Sequence, residues 1–364
     1  MPNKIHDICI IGAGIIGAAC SYEISKLNKS ILVLEKNNKP AMETTEGNSA
    51  VIHGGFDPTP GKLNATLSIE GKKLYQTWFK ELNFTWKKVD SLVIAFSPYE
   101  INEVKKLYER GLENGLDKTE LKILNSYEEV KKYEPNVNTE VLGALYCSSS
   151  HIIDPIELTN ELLKKSNADV HLKTKVTAIK FIKDKKYFEI QTNNNVFFAK
   201  QIINAAGHYA DDIADMVNAR NFELFRRRGE YRILELDEAH KVKNIVFMAP
   251  TIHGKGVIVS PITDGHVLVG PTAEDGIRKE DVRLVTQEMY RKIGEIGKKI
   301  IPELNIERTY KVMAGSRPII QKTDDFLIEL AKDNKNFLNI AGIKSPGITA
   351  APAIGKYVIK LLNL

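Results

Sequence analysis

Cysteine is scarce in this chain: Cys9, Cys20 and Cys147 are the three in 364 residues. They form no C-x-x-C pair and no metal-ligand spacing, which argues against a disulfide scaffold or a zinc module. Cys9 and Cys20 sit in apolar runs, where cysteine acts as a small core residue, and a reducing compartment fits. No stretch approaches the roughly 20 apolar residues of a membrane span. Charge of one sign is also missing, with 51 basic against 46 acidic residues and a net charge of +5. That balance disfavours nucleic acid as the main partner and leaves a small anionic ligand open. The histidines make no metal pattern, so no metal is expected. There is no internal repeat and no low-complexity segment.

Little room exists for a targeting segment, because an apolar strand-like run is already under way at Ile8; a cytoplasmic location is expected. The final stretch, "IGKYVIKLLNL", reads as a packed terminal helix, with peripheral contact to a membrane surface as the alternative. What is present is an ordinary globular composition, 43% hydrophobic and 27% charged. At this length two domains are the default expectation.

The strongest pattern opens the chain: "DICIIGAGIIGAACSYEISKLNKSILVLEK". A short apolar run leads into Gly12, Gly14 and Gly17 in G-x-G-x-x-G spacing, a helix-period segment follows, and a second apolar run ends at Glu35. Each part serves a βαβ dinucleotide site. Gly12 permits the tight turn, Gly14 lets a pyrophosphate reach the backbone, and Gly17 lets helix and strand pack closely. The helix N-terminus faces the phosphates. Glu35 stands where a carboxylate accepts from both ribose hydroxyls, and its charge would repel a 2′-phosphate. A glycine triplet alone would be weak; strand, helix and acid together are not.

Two further strand–glycine elements, "QIINAAGHYADDIA" at 201–214 and "FLNIAGIKSPGITAAPAIGKYVIKLL" at 337–362, spread the pattern from end to end. A nicotinamide enzyme usually needs only the first fingerprint. Three such elements suggest one large cofactor, FAD, threaded through a discontinuous domain. Elsewhere, apolar residues at helical spacing mark 69–82 and 103–116. Asp154-Pro155 is a capping residue followed by proline at the first helical position. From about 219 to 318 the chain is strand-rich, with a hairpin signal at Asp264-Gly265 and a helix expected from about Glu280 to Ile300.

Taken in order, "IIGAGIIG", Glu35, "GNSAVIHGGF", "NAAGHYAD", "RRRGEY", "GPTAED", "AGSRP" and "AGIKSPGITAAPAIG" resemble the FAD-dependent D-amino-acid-oxidase-like superfamily. Within it the chain is most similar to the mycoplasma-type bacterial glycerol-3-phosphate oxidases and to the L-2-hydroxyglutarate oxidases. The resemblance covers essentially the whole chain. It implies an α/β fold with a discontinuous FAD-binding Rossmann-like domain (1–82, 144–218 and 320–364) and an antiparallel-sheet substrate domain (83–143 and 219–319). It also implies that 47–56 runs along the flavin, with His53 near the isoalloxazine ring, Ser49 and Ala50 beside the cofactor, and Thr44 and Thr45 near the pyrophosphate. Ile15, Ile16, Lys36, Val176, Ala206, Gly207, Gly342, Pro346, Gly347, Ile348 and Thr349 complete the expected cofactor set. FAD is expected to be held noncovalently.

Oxidation of a carbinol requires its hydroxyl proton to leave with the hydride, so a base must lie within reach; His53 is the candidate. By itself, a histidine beside glycines is more often a turn residue. Arg317 is the expected anion clamp, because guanidinium grips phosphate or carboxylate bidentately. Lys255 is a second candidate cation; Ser345, expected to bond the substrate or the flavin, and Tyr231 complete the expected substrate set with Ser49. Two cations and a serine suit a dianionic phosphate better than a single carboxylate. The expected reaction is therefore oxidation of sn-glycerol 3-phosphate to dihydroxyacetone phosphate, with oxygen reduced to hydrogen peroxide. The alternatives are L-2-hydroxyglutarate or another small hydroxy acid or amine as substrate, and a non-catalytic FAD-binding protein. Oxygen against quinone as acceptor, and oligomeric state, stay open.

Overall fold

Two large sheets share the molecule, and the strand pattern explains which residues go to which. The computed structural model describes residues 4–250, 256–320 and 322–364. Among the described residues the first sheet has eight strands and is centred on the fingerprint strand Ile5–Ile11. That strand pairs in parallel with Ile31–Leu34 on one side and Val196–Asn204 on the other. Val196–Asn204 is shared lengthwise. Its first half pairs with the hairpin strand Tyr187–Thr192, and its second half runs parallel to Phe337–Ala341. The C-terminal strand thus lies beside the N-terminal ones, as the three dispersed glycine elements require.

Strands buried on both faces read as unbroken apolar runs, and Ile31–Leu34 and Phe337–Ala341 are buried throughout. Helices Ile15–Ser25, Leu63–Glu81 and Gly347–Leu362 cover one face of this sheet. Gly17 makes the first of them fit, since a Cβ there would stand 2.0 Å from the Gly12 carbonyl oxygen. Tyr75 and Trp78 are wholly enclosed, and the Trp78 indole N–H donates to Glu23 at 3.2 Å, so the large ring is buried without orphaning its donor.

The second sheet, with nine strands among the described residues, is mostly antiparallel and is built around Leu224–Leu234 paired with Thr309–Ile320. The hairpin at Asp264-Gly265 joins Ile258–Pro261 to Val267–Gly270, with Gly265 at φ +92°. Asp154 caps the helix Pro155–Ser166, accepting from Ile156 and Glu157 N–H. The helix expected from Glu280 begins at Gln287, because Thr286 takes the capping role and accepts from Met289 N–H. The strand Gly143–Cys147, of which the sequence reading places 144–147 in the cofactor domain, pairs antiparallel with Ser91–Ala95 and belongs to the second sheet. A short apolar run suits the interior of either sheet, so long-range pairing decides its place. A small third sheet, Val51–Ile52, His151–Ile153 and Trp86–Lys88, bridges the two. Among the described residues, no helix is long and apolar enough to cross a membrane.

Candidate active site

Between the two large sheets lies a cavity of about 510 Å³ whose wall draws on the fingerprint loop, the 43–57 segment, the 205–216 turn and both glycine-bearing C-terminal elements. Its floor is made by backbone. Gly12 adopts φ +109°, and a Cβ there would meet the Ala205 carbonyl oxygen at 2.5 Å. Only glycine fits that position. Glu35 reaches back to the loop: its carboxylate accepts from Ala13 N–H at 2.9 Å and Asn37 N–H at 2.8 Å. A carboxylate offers about four acceptor positions, so capacity is left for two ribose hydroxyls. Thr45 Oγ1 accepts from Ile15 N–H at 3.0 Å and ties the 43–57 segment to the start of the first helix.

Lys36 and Glu43 both line this end, 2.5 Å apart. Burial pushes the Glu43 carboxyl up, but the Lys36 ammonium outweighs it and holds the group below its usual range. Lys36 Nζ also stands 4.3 Å from the centre of the Tyr209 ring. A little further along, Thr44 Oγ1 donates to the Ser316 carbonyl at 2.9 Å and lies 3.2 Å from His208 Nε2. Burial draws His208 down to about 4, so its ring is neutral at ordinary pH. Its Nδ1 is buried without a protein partner, as a polar atom open to a ligand or water would be.

Midway, Gly47 and Gly315 cross in direct backbone contact: a Cβ on Gly315 would fall 1.9 Å from the Gly47 carbonyl oxygen. This crossing brings "GNSAVIHGGF" under "AGSRP", residues far apart in sequence. The far end of the cavity is a side-chain wall. His53 Nε2 lies 3.2 Å from Ser345 Oγ, and the imidazole sits 5.8 Å from the Phe247 ring, centre to centre. The pairing of Arg227 with Arg317, and of Gly229 with Gly315, sends Arg227, Tyr231 and Arg317 to one face of the second sheet. Arg317 interacts with the Tyr231 phenol, whose ionisation burial nevertheless pushes up. Arg226 and Arg228 point the other way, to Asp211 and to Glu230 and Glu274. Phe56, Met248 and Ile258 supply apolar surface to the same cavity.

The terminal helix starts at Gly347, and Pro346, Gly347 and Ile348 line the cavity, so its positive end opens on the ligand space. Backbone donors at two helix starts, a free-sided acid and glycines with no room for a Cβ suit a long, phosphate-bearing dinucleotide. The residues present fit FAD.

The comparisons with known proteins agree. Residues 7–361 match the family described as FAD dependent oxidoreductase. The chain belongs to this FAD-dependent oxidoreductase family. It is 42% identical to a glycerol 3-phosphate oxidase of Mycoplasma pneumoniae, over 99% of this chain and 95% of that protein. It is 39% identical to a glycerol 3-phosphate dehydrogenase of Caloramator mitchellensis, over 99% of this chain and 74% of that one. The structure resembles dithionite-reduced L-alpha-glycerophosphate oxidase from Mycoplasma pneumoniae with FAD bound, with a TM-score of 0.95, 41% identity and coverage of 99% and 95%. FAD is therefore the cofactor, and the fold is that of the family.

Most of the residues singled out from sequence line this cavity, from Gly12, Gly14, Ile15, Ile16, Glu35, Lys36 and Val176 at one end to His53, Tyr231, Arg317 and Ser345 at the other. Thr44, Thr45, Ser49, Ala206, Gly207, Gly342, Pro346, Gly347 and Ile348 lie between. Gly17, Ala50 and Thr349 stand behind the wall. Gly17 packs against Gly12. Ala50 takes a left-handed turn, φ +57°, and its carbonyl accepts from Ile153 N–H at 3.0 Å. Thr349 Oγ1 accepts from the His53 N–H at 2.9 Å, so it holds the imidazole-bearing residue from behind. Lys255 lies outside the described residues. His208, read from sequence only as a histidine packing beside "NAAG", lines the cavity too, whereas Asn48 and Phe247 were not singled out. Asn48 was legible as the asparagine of "GNS": its Oδ1 accepts from Ala50 N–H at 2.7 Å and shapes the turn. Phe247 carried no local signal.

Proposed function

We propose that this family member oxidises sn-glycerol 3-phosphate to dihydroxyacetone phosphate and reduces oxygen to hydrogen peroxide. The observation carrying the reading is that His53 and Ser345, 3.2 Å apart, line the same cavity as Arg317 in a chain so similar to glycerol 3-phosphate oxidases. Bound FAD supplies the two-electron acceptor. His53 Nε2 takes the hydroxyl proton as the carbinol C–H bond is lost and the carbonyl forms; Ser345 Oγ, 3.2 Å away, orients the ring. Arg317 holds the phosphate, its guanidinium steadied by Tyr231. Lys255 is assigned as a second phosphate ligand. Phe247 beside the imidazole, with Phe56, Met248 and Ile258 elsewhere in the cavity wall, excludes water from the site, which strengthens each polar contact. Ser49 belongs with the substrate set and the remaining lining residues with FAD, which is held noncovalently and leaves on acid precipitation. The fingerprint, dispersed-element sheet and terminal helix (1–82, 144–218 and 320–364) serve as the FAD-binding part and 83–143 with 219–319 as the substrate part, the Gly143–Cys147 strand excepted.

Anaerobic mixing with glycerol 3-phosphate tests the reading: the flavin absorbance at about 450 nm should bleach at a rate that saturates with substrate. L-2-hydroxyglutarate should leave it yellow, and the reverse outcome overturns the substrate. Admitting air should restore the colour and release peroxide; slow reoxidation would instead favour a dehydrogenase.

A further inference from the structure

The segment from His53 to Pro58 belongs to no regular ladder, although His53 is the residue assigned to proton transfer. Backbone carbonyls in such a buried stretch need partners from elsewhere. Three side chains provide them: Lys72 reaches the Gly54 carbonyl, Asn114 those of Gly55 and Pro58, and Arg110 that of Asp57. The Lys72 contact is the one adjoining His53, and it is built differently from the others.

Lys72 lies on the helix Leu63–Glu81 with its side chain 18% exposed. An ammonium has three N–H donors. All three are spent, on the Gly54 carbonyl at 3.1 Å, on Ser149 Oγ at 2.7 Å and on the Glu120 carboxylate. These acceptors come from three separate parts of the chain. Gly54 itself has no slack, since a Cβ there would fall 2.3 Å from Cys147 Sγ. The same helix also fixes the other side of the site. Tyr75 donates to the Ile348 carbonyl at 2.9 Å, and Gly71 packs so closely that a Cβ would meet the Thr349 carbonyl oxygen at 2.1 Å. Thr349 in turn holds the His53 N–H. One helix therefore holds the Gly54 carbonyl, one residue beyond His53, and packs against the start of the terminal helix, whose Thr349 holds the His53 N–H.

We propose that Lys72 is a positioning residue for His53: by locking the Gly54 carbonyl between Ser149 and Glu120, it sets the imidazole against Ser345 and the substrate hydroxyl. The inference rests on the reading of His53 as the proton acceptor. Misplacing a reacting group by an ångström costs on the order of 10²-fold in rate, so Lys72→Met should slow anaerobic flavin reduction roughly 10- to 100-fold. The substrate concentration for half-saturation should change less than about twofold, because Arg317 is untouched. Two further readouts separate positioning from general damage. In a His53→Ala background, Lys72→Met should add nothing, whereas independent effects would multiply. Hydrogen exchange in peptides spanning 51–58 should quicken in Lys72→Met while the strands of both sheets keep their protection.

Should Lys72→Met fail to fold, Lys72→Arg serves instead: it keeps the Glu120 pairing but not the three-way geometry, and its smaller loss should also vanish without His53. Multiplying losses in the double variant, an unchanged reduction rate, or unchanged exchange at 51–58 would each overturn the proposal. A wild-type protein that glycerol 3-phosphate does not bleach, or a His53→Ala protein as fast as wild type, overturns the functional reading; the exchange experiment then still decides whether Lys72 anchors the loop.

Discussion

The two ends of the cavity are built by different means. At the cofactor end, backbone does the shaping: Gly12 at φ +109°, Gly17 against the Gly12 carbonyl, Ala13 N–H on Glu35, all within the first βαβ unit. In the wall that carries His53, side chains do it, and His53, Tyr231, Phe247, Arg317 and Ser345 arrive from five stretches of the chain. The difference teaches where each end is vulnerable. A backbone-made surface fails by losing its shape and its ligand together. A side-chain wall loses its chemistry one group at a time and keeps its fold.

The largest effect should come from the wall. His53→Ala is expected to slow anaerobic flavin reduction by ~10²–10⁴ while the protein stays yellow, measured by stopped-flow absorbance. Next, Arg317→Met should weaken substrate binding by roughly 10- to 100-fold, the worth of a charge-assisted hydrogen bond, with FAD content unchanged. A loss of FAD in either variant would blur the division between the ends.

Gly315→Ala probes the seam instead. Its methyl would strike the Gly47 carbonyl oxygen, so the Thr309–Ile320 strand and the Gly47 loop must part, at about 1–3 kcal/mol. Thermal unfolding and flavin content should fall together, unlike in the wall variants. A smaller effect of the same kind is expected for Glu35→Gln, whose amide keeps one acceptor oxygen where the carboxylate has two. FAD affinity should drop by about 1–2 kcal/mol, read from flavin fluorescence on dilution, with the reduction rate of the loaded protein unchanged.

The smallest effect concerns acid. Burial lowers both His151 and His208 to about 4, below the roughly 6.5 of an unfolded histidine. The unfolded chain binds more protons in that interval, so their stabilisation is complete above about pH 6.5 and is lost as pH falls toward 4. Glu134 acts with the opposite sign: burial raises it to about 7, and its contribution is lost as pH rises through that value. The melting temperature should therefore fall modestly between about pH 6.5 and about pH 4.5, more steeply in Glu134→Gln and less steeply in His208→Asn.

The cofactor end was legible in the sequence because its geometry is local. Gly12, Gly14, Gly17 and Glu35 act within one strand–helix–strand unit, and the residue types state the turn, the close approach and the carboxylate. The capped helix at Asp154-Pro155 and the Asp264-Gly265 hairpin were legible for the same reason. The start of the helix at Gln287 was not, since Thr286 and the upstream acidic residues compete for the role of cap. Nor was the sheet that takes Gly143–Cys147, because a short apolar run fits either.

By itself the sequence determined that a dinucleotide loop opens the chain, that glycine-rich turns recur at three places, and that one histidine and one arginine stand in motifs of the right kind. Only the tertiary structure decided that Gly47 and Gly315 touch, that His53 faces Ser345, and that Lys72 and Thr349 hold its backbone from behind. The physical reason is range. Steric and hydrogen-bond demands within a turn are written in neighbouring residues, whereas contacts between distant segments depend on how two whole sheets and their helices pack.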